Sequence, residues 1–336
     1  MKRITIKDIA KALNMHHSTV SRALRDEKSI HSETRRKVLA YARENGYQLN
    51  RNALHLRGDA SNVIGVVVPN IHHSFFSNYV STVTNLAFAQ GYVVSVFQSN
   101  ESAAQERQIA KALIQQNVAG VMASVSMETA DVQHFEQLKK FHIPLVLFDR
   151  ISQQLEVPSV VLNNAEIVEK AVGLLVGKGF RRIAYLSGTP VTNVFHDRQQ
   201  GYRNAVSKLT PGFEKCVALT GGFTVENGKA AFDALMKEST RPDALICDSH
   251  ILMLAVLMKL KEASLVPGNE FGLAAFGGNN DVSMLYPGII SIRQPEEAMA
   301  GEAFELLMKA MNGADEKPEI KIFKADIFEI NSTHSK

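Results

Sequence analysis

The sequence predicts an α/β protein with a small all-helical head and a larger body of two Rossmann-like lobes. The first observation is charge: residues 1–60 hold 13 Lys/Arg against 6 Asp/Glu, a balance of +7, while the remaining residues hold 24 against 28, a balance of −4. The second is the helical spacing of apolar residues in the first 46 residues. The third is a series of strand-length apolar runs that alternates with amphipathic stretches from Val63 onward.

The composition is that of a globular protein. The chain has 336 residues, of which 45% are hydrophobic and 21% charged, so it is long enough for two or three domains. No apolar run approaches the roughly 18 residues that span a bilayer, and the start MKRITIKDIAKAL lacks the apolar core of a secretory signal. Cys216 and Cys247 are too few for a disulfide framework, which fits a reducing compartment. We therefore expect a cytoplasmic protein.

Three short helices are predicted in the head. Thr5 can cap the first helix, in which apolar residues recur at helical spacing. Asn14 follows, and Asn tolerates the left-handed conformation that a tight turn needs. The second helix runs from about His17 to Leu24, and the third begins near Ser32. Two short helices joined by a tight turn and braced by a third form a helix-turn-helix.

The second helix carries polar side chains suited to the major groove of DNA. Arg22 lies four residues after Ser18 and shares a face with it. Arg binds guanine bidentately, and Ser, Thr and His side chains reach bases or phosphates. The basic charge of the head indicates a polyanion partner. The alternative is an ordinary exposed helix on a well-solvated head, and it leaves the local charge unexplained.

Two segments of the head carry a family pattern. They read TIKDIAKALNMHHSTVSRALR and IHSETRRKVLAYARENGYQLNRNALHLRG, and they include TVSR, S-x-x-TR and GY-x-x-N-x-x-A-x-x-L. Over nearly all of the first 58 residues the chain resembles the head and hinge of the LacI/GalR family of bacterial transcription regulators. The resemblance implies that the DNA-binding residues are Thr5, His16, His17, Ser18, Thr19, Ser21, Arg22, Asn50, Arg51, Ala53 and Leu56.

The resemblance also implies a role for many of these residues. Base contacts are expected from His17, Ser18 and Arg22, and phosphate contacts from Thr5, Thr19, Ser21 and Asn50. Residues 52–57 would form a hinge helix on specific DNA, with Leu56 wedged into the minor groove. The family usually has Gly where Asn14 stands and Pro where Leu49 stands. Leu49 leaves the hinge backbone freer than proline would.

Ten apolar runs in the body predict parallel strands. They are residues 63–68, 92–97, 118–125, 143–148, 158–162, 181–186, 216–219, 243–248, 273–276 and 288–292. Continuous Val/Ile/Leu runs separated by helices are typical of parallel strands buried on both faces. About ten strands exceed one typical sheet, so we expect two Rossmann-like lobes with a ligand cleft beyond the carboxyl ends of the strands.

The body also carries family landmarks, namely VIGVVVPNIHHSFFSNYV, IPLVLFDR, HDRQQGYRNAV, PGIISIRQPEEAMAG and FEINST. They resemble the family's effector domain, which is similar to periplasmic sugar-binding proteins. The resemblance implies that the chain crosses between lobes near residues 162, 290 and 324. The expected domains are a helix-turn-helix domain (1–49), a hinge (50–60) and an effector-binding and dimerisation domain (61–336), with lobe one at about 61–162 and 291–323 and lobe two at about 163–290 and 324–331.

Charged residues of the predicted cleft are candidates for effector binding. Asp149 and Arg150 follow a strand, and Arg198 lies near the start of a helix. A carboxylate and guanidinium groups there can clamp sugar hydroxyls, because charge-assisted hydrogen bonds are strong and directional. The alternative for Asp149 and Arg150 is a salt bridge at the strand end. Positions matching Arg198 commonly bind ligand in the family, which favours the ligand role for it.

Three aromatic residues also belong to the predicted effector site. Phe75, Phe76 and Phe223 match aromatic positions of the family pocket and can stack on a sugar ring, although each is equally typical of core packing.

Two family positions are altered. The family usually has Asn-Asp where this chain reads Ser249-His250, and Asp where it reads Gly277 with Asn279 nearby. The loss of two carboxylates predicts a less acidic pocket dominated by Arg150, Arg198 and His250, so a sugar acid and a neutral sugar are both candidates.

Motifs for catalysis are missing from the sequence. It has no G-x-S-x-G elbow, no H-E-x-x-H and no paired C-x-x-C. GLLVGKG (173–179) has the wrong spacing for a phosphate loop, and the adjacent pairs His16-His17 and His72-His73 do not present two ligands on one helical face. We therefore expect neither an enzyme nor a cofactor or metal site.

The sequence favours a ligand-responsive transcription regulator that binds near-palindromic operator DNA as a homodimer. A repressor released by an inducer is the default expectation for a carbohydrate-utilisation operon. A corepressor would bind in the same cleft but strengthen operator binding instead of weakening it. No heptad tail follows Phe328, which favours a dimer over a tetramer. The alternative function is a cytoplasmic sugar-binding module without gene control, and the basic head argues against it.

Overall fold

The computed structural model describes residues 4–24, 30–47, 61–219, 222–277, 286–314 and 318–329. The chain divides into two compact units, residues 1–60 and residues 61–336. Five predicted site residues lie outside the described residues, namely Asn50, Arg51, Ala53, Leu56 and Asn279. The hinge expected at residues 52–57 lies outside them as well.

The head forms the three predicted helices: α1 (Ile6–Ala12), α2 (His17–Leu24) and α3 (Ser32–Glu44). Thr5 caps α1 in a capping box, since its hydroxyl accepts from the backbone N–H of Asp8 while the Asp8 carboxylate accepts from the Thr5 N–H. Asn14 has a φ of 52°, which confirms the left-handed turn between α1 and α2. A small core seals the three helices, with Ile9, Val20 and Val38 fully buried.

The body contains two six-stranded sheets, each flanked by helices. Its elements up to the first crossing are β1 (Val63–Val68), α4 (Ser74–Ala89), β2 (Val93–Gln98), α5 (Ala103–Gln115), β3 (Gly120–Ala123), α6 (Gln133–Lys140), β4 (Leu145–Phe148) and β5 (Ser159–Leu162). The following elements are α7 (Asn164–Gly177), β6 (Ile183–Gly188), α8 (Asn193–Leu209), β7 (Lys215–Leu219), α9 (Val225–Met236), β8 (Ala244–Cys247), α10 (His250–Glu262), β9 (Gly272–Phe276) and β10 (Ile290–Arg293). The last are α11 (Glu296–Met311), β11 (Ile320–Phe323) and β12 (Asp326–Glu329).

The strand order confirms two Rossmann-like lobes. The first sheet has the order β11-β5-β4-β3-β1-β2 and the second the order β12-β10-β9-β8-β6-β7. All pairs of neighbouring strands are parallel except β10 and β12, which are antiparallel. The buried central strands are rich in Val, Ile, Leu and Ala, as expected for strands covered by helices on both faces.

The second crossing between the lobes lies later than the sequence predicts. Residues 291–293 were expected in lobe one, but β10 pairs in parallel with β9 in the second sheet. Ile290 and Ile292 are fully buried there, so the apolar run stays in one lobe to its end. The chain passes to lobe one at Gln294 and Pro295, just before α11.

Two strands of the body were not among the ten predicted. β11 and β12 have four residues each, and along both of them exposed and half-buried positions alternate. They sit at the outer edges of their sheets, so they lack the continuous apolar runs that identify central strands. Sequence periodicity alone could not separate such short edge strands from loops.

Gly201 lets two helices of lobe two pack closely. A β-carbon at Gly201 of α8 would lie 2.2 Å from the carbonyl oxygen of Ala165 in α7, a distance that no side chain tolerates. This close crossing brings Arg198 of α8 within hydrogen-bond distance of Asn164 of α7. In the part of the chain that the structure describes, no helix is long and apolar enough to cross a bilayer.

Candidate nucleic-acid interface and ligand cleft

The exposed side of α2 carries polar and cationic groups. His16, His17 and Arg22 are exposed, while Ser18 and Thr19 are half-buried. The His16 ring and the Ser18 hydroxyl are 2.8 Å apart, so the first turn of α2 is braced by its own side chains. Ser21 departs from the prediction: it is only 8% exposed and lies on the side of α2 that includes buried Val20. It therefore does not share the exposed face with Arg22.

The Nε of Arg22 makes a hydrogen bond, whereas its two Nη groups make none within the described part of the chain. Its Nε donates to the carbonyl oxygen of Ser18 at 3.4 Å. Within the described residues its two Nη groups donate no hydrogen bond to the protein, so both can bind one acceptor pair outside it. Asp8 is occupied by the capping box, and Glu33 pairs with Lys37 at 3.2 Å. These pairings leave fewer carboxylates in the head to compete for its basic groups.

The ligand cleft of the body lies at the carboxyl ends of strands from both sheets. Two neighbouring cavities, of about 50 and about 100 Å³, are lined by nine of the ten predicted effector residues. These nine residues are Phe75, Phe76, Asp149, Arg150, Arg198, Phe223, Ser249, His250 and Gly277. The tenth, Asn279, lies outside the described residues. The topology thus collects residues that are up to 202 positions apart in the chain.

Arg198 is locked into lobe two by polar and aromatic partners. Its Nε donates to the side-chain oxygen of Asn164 at 2.7 Å, and its Nη1 donates to the carboxylate of Asp248 at 3.0 Å. Its guanidinium carbon lies 3.4 Å from the centre of the Phe276 ring. The residue is only 4% exposed. Within the described residues its Nη2 makes no hydrogen bond, which leaves one donor group for a ligand.

Asp248 is the anionic centre of this cluster. Besides Arg198 it accepts hydrogen bonds from the hydroxyls of Tyr185 and Ser187, both at 2.5 Å, and from the N–H of Gly188 at 3.2 Å. A fully buried carboxylate is stable only when its lone pairs are satisfied in this way. Burial and the nearby Asp248 raise the pKa of Tyr185 well above its usual value, so its hydroxyl remains a donor.

Arg150 pairs mainly with Glu101. Its Nη1 lies 2.8 and 2.7 Å from the two carboxylate oxygens of Glu101, which follows β2. The alternative of a salt bridge to Asp149 is much weaker, since that contact is 4.0 Å and makes no hydrogen bond. Its guanidinium also faces Phe195 of lobe two at 5.1 Å. Arg150 therefore touches both lobes.

Asp149 has a strained backbone, and the pKa of its carboxyl is raised. Its φ of 59° is unusual for a residue with a side chain. The amide of Asn193, from lobe two, braces this bend: it donates to the carbonyl of Asp149 at 3.1 Å and accepts from the N–H of Ile151 at 2.8 Å. Burial raises the pKa of the Asp149 carboxyl, and the neighbouring Arg150 and Arg198 oppose that rise.

The aromatic residues of the cleft serve the core as well as the cavity. Phe75 and Phe76 are 7% and 3% exposed, and they pack edge to face with their centres 5.2 Å apart. Phe223 meets Phe195 edge to face at 5.6 Å and the His73 ring at 6.1 Å. Both readings of Phe75 and Phe76, core packing and cavity lining, hold at once.

Ser249 and His250 begin α10. The Ser249 hydroxyl caps the helix by accepting from the N–H of Leu252 at 3.3 Å. His250 is half-buried, and desolvation lowers the pKa of its imidazole. The left-handed φ of 73° at Gly277, which faces the cap, explains why glycine stands there.

The structure adds two carboxylates, Glu101 and Asp248, that the expectation of a pocket dominated by Arg150, Arg198 and His250 did not count. Asp248, Glu101 and Asp149 place three carboxylates around Arg150 and Arg198, so neither guanidinium dominates the cleft. Asp248 could have been found from sequence, since it follows the buried strand β8 just as Asp149 follows β4. Glu101 gives no such signal, because its partner Arg150 lies 49 residues away in the chain.

His73 is a further residue that sequence reasoning left unassigned. It borders both small cavities, directly before α4. Burial and, to a smaller extent, the nearby Arg150 lower the pKa of its imidazole to about 4, while Glu101 opposes the change. The ring is therefore neutral at pH 7 and can donate one hydrogen bond and accept another.

The sequence of each unit matches a family model. The family model for periplasmic binding proteins and the sugar binding domain of the LacI family matches residues 61–323. The model for bacterial regulatory proteins of the lacI family matches residues 5–50. The chain belongs to the LacI family. This confirms the resemblance of the sequence, and the LacI-family protein is a DNA-binding transcription regulator rather than an enzyme.

Relatives and a solved structure agree with this family. The HTH-type transcriptional repressor CytR of Escherichia coli (strain K12) is 28% identical over 92% of this chain and 90% of its own. Catabolite control protein A of Priestia megaterium is 26% identical over 92% of this chain and 93% of its own. The Lac repressor dimer bound to operator and the anti-inducer ONPF has the same fold, with a TM-score of 0.81 at 21% identity, and it covers 99% of this chain and 100% of that one.

Proposed function

We propose that this LacI-family protein is a repressor that binds a near-palindromic operator as a homodimer and releases it when a sugar-like effector occupies the cleft. One observation carries the proposal: a single chain combines a helix that exposes the Arg22 guanidinium with a buried polar cleft between two lobes. Neither part alone distinguishes a regulator from a nucleic-acid-binding or a sugar-binding module.

The DNA contacts follow from the exposed side of α2. His17, Ser18 and Arg22 would contact bases, and the Nη groups of Arg22 suit the two acceptors of a guanine. Thr5 and Thr19 would bind phosphates. Ser21 would act only from the margin of the interface, since it is 8% exposed. The hinge contacts expected from Asn50, Arg51, Ala53 and Leu56 remain part of the proposal.

The effector would be a polyhydroxylated, sugar-like molecule rather than a sugar acid. Each cleft guanidinium already has a carboxylate partner, Arg150 with Glu101 and Arg198 with Asp248. An anionic effector would have to compete with these carboxylates. The matching family model, which describes a sugar-binding domain, supports the sugar-like class.

Exposed apolar side chains on the body support the homodimer. Val93 and Val96 of the edge strand β2 are 53% and 44% exposed, and Phe88 at the end of α4 is 80% exposed. Leu254 and Met258, one turn apart on α10, are 37% and 47% exposed. Exposed apolar side chains grouped on one element are typical of protein interfaces. A second copy of the chain, in a cytoplasmic regulator, is the proposed occupant.

Binding of effector and operator must be linked. An effector that stabilises one arrangement of the lobes weakens operator binding by the same factor by which the operator weakens effector binding. Asn193 and Arg150 touch both lobes, so they are the described residues best placed to report lobe closure. A corepressor arrangement would give the opposite sign for the same linkage.

The test is selection of DNA by the full-length protein from a random duplex library. We expect enriched sequences to contain two related half-sites in inverted repeat, and binding to fall steeply as salt rises. Addition of a sugar that raises the melting temperature should then lower operator affinity. Enrichment of no sequence would favour the alternative, a sugar-binding module without gene control.

A further inference from the structure

A third cavity between the lobes is much larger than the two beside Arg198. Its volume is about 460 Å³, against about 50 and about 100 Å³ for the others. Pockets for small molecules typically measure roughly 300–1,000 Å³. The two small cavities can therefore hold only part of a sugar-like effector, whereas the third can hold a ring and its substituents.

The third cavity shares walls with the other two. His73 borders all three cavities, and Phe223 borders the third and the smallest. A ligand that stacks on Phe223 can thus reach the Arg198 cluster on one side and the large cavity on the other. The polar groups that line the large cavity are Asn70, Asn100, Glu101 and Glu128 from lobe one and Thr189 and Thr224 from lobe two.

The wall from lobe one is held in place by buried hydrogen bonds. Glu106 is fully buried and accepts from the N–H of Ser126 at 2.7 Å and from the hydroxyl of Thr129 at 2.7 Å. The N–H of Met127 donates to the Glu101 carboxylate at 2.9 Å. The segment that carries Glu128 is therefore pinned at both ends, so the lobe-one wall of the cavity is preformed.

The charged side chains that line the third cavity are acidic. Among the described residues that line the cavity there is no Lys or Arg, while Glu101 and Glu128 are both carboxylates. Glu101 is compensated by Arg150. Glu128 accepts one hydrogen bond, from the N–H of Ala103 to its Oε2 at 3.3 Å. Its Oε1 accepts none from the described part of the chain, so one anionic oxygen is available to a ligand.

From the volume, the shared walls and the free carboxylate we propose that the third cavity is a subsite for a sugar unit bearing a protonated amine, so that the effector is an amino-sugar oligosaccharide. The ammonium group donates to Glu128, and the amide and hydroxyl side chains of Asn70, Asn100 and Thr189 bind the hydroxyls of the same unit. This inference rests on the proposed function, since it names the effector class of the same cleft.

The test compares matched disaccharides by isothermal titration with the full-length protein. The probes are the β-1,4-linked glucosamine disaccharide, cellobiose, which has hydroxyls in place of the amines, and the corresponding uronic acid. We expect the glucosamine disaccharide to bind about tenfold more tightly than cellobiose. At an exposed site, the free energy of a hydrogen bond between charged groups lies at the low end of the usual range for such bonds. The uronic acid should bind most weakly of the three.

Glu128→Gln and the matched control Glu136→Gln separate the charge of the subsite from charge in general. Glu136 is exposed on α6 and lines none of the three cavities. Glu128→Gln should reduce the preference for amine over hydroxyl to about onefold, and Glu136→Gln should leave it at about tenfold. A preference that survives Glu128→Gln, or tighter binding of cellobiose or the uronic acid, overturns the inference.

Operator binding without effector, measured on the same preparation, keeps the two proposals apart. Full operator affinity with no binding of any probe overturns the amino-sugar inference and leaves the regulator intact. Amine-selective binding by a protein that selects no DNA supports the subsite and contradicts the proposed gene control.

Discussion

Arg22 in the head and Arg198 in the cleft are the same side chain in opposite surroundings. Arg22 is exposed, and among the residues that the structure describes its one hydrogen bond runs from its Nε to the Ser18 carbonyl. Arg198 is 4% exposed and is held by Asn164, Asp248 and the Phe276 ring. A free guanidinium can read a partner that comes to it, whereas a held guanidinium contributes a fixed charge and a fixed position. The same residue type is thus accessible in the head, where we propose that it reads DNA, and fixed in place in the cleft.

The largest effect is expected for Asp248→Ala, which removes the carboxylate partner of Arg198. The variant leaves a buried guanidinium uncompensated, so the free energy of unfolding of the body should fall by about 3–5 kcal/mol. Urea denaturation followed by circular dichroism measures this change. Asp233→Ala, which removes a half-exposed partner of Lys259, is the control and should cost less than about 1 kcal/mol. Equal losses in the two variants would show that Arg198 does not depend on Asp248.

Arg22→Ala tests the recognition side of the comparison. Loss of a bidentate base contact should weaken operator binding by about 1–3 kcal/mol, with little change in stability because Arg22 is exposed. Fluorescence anisotropy on operator and on random duplex DNA measures both affinities. Arg43→Ala, another exposed arginine near the end of α3, serves as the charge control. If both variants lose the same affinity on both DNAs, Arg22 contributes charge and not base recognition.

His73 predicts a pH dependence of the body. Its pKa is lowered from 6.5 to about 4 in the folded state, so the unfolded chain binds more protons between these values. Stability should therefore fall as pH drops from about 6.5 to about 4, by at most about 1.4 kcal/mol per pH unit from one proton. His73→Gln should reduce the slope of the urea midpoint against pH in this window. Arg150, Glu101 and His72 are the charged neighbours that tune it. A wild-type slope in the variant would assign the pH dependence to other groups.

Ser249→Ala should give the smallest effect. It removes the cap of α10 and should lower stability by about 1 kcal/mol, whereas Ser249→Gly should cost only a few tenths. If Ser249 also binds effector, the Ala variant should have a lower effector affinity than the wild type in addition to its lower stability. Calorimetric melting with and without effector separates the two roles. Wild-type stability of the Ala variant would show that the cap contributes nothing.

The sequence predicted the local structure of the head more completely than that of the body. Thr5, Asn14 and the three helices of the head depend on contacts within a few residues, and the structure places each as predicted. Buried central strands of the body were predictable for the same reason, since burial on both faces shows as a continuous apolar run. The exposed, four-residue edge strands β11 and β12 show no such run and were not predicted.

The ligand cleft was predictable only as a set of positions. The family pattern indicated Asp149, Arg150 and Arg198, and the structure places them around shared cavities. The pattern could not indicate that Arg150 pairs with Glu101, because that contact depends on how two loops of lobe one meet. The expectation of a less acidic pocket counted residues at two altered positions and did not count Asp248 beside them.

The sequence by itself determined the architecture: a basic helix-turn-helix head, two mainly parallel sheets and the strand ends at which the candidate site lies. These follow from charge, helical period and apolar runs, all of which act over short distances along the chain. Only the tertiary structure decided which charges neutralise each other and where space remains. Arg198 is compensated by Asp248, while Glu128 accepts a hydrogen bond on one oxygen only from the described part of the chain, and both outcomes depend on contacts between residues that lie far apart in the chain or in different elements.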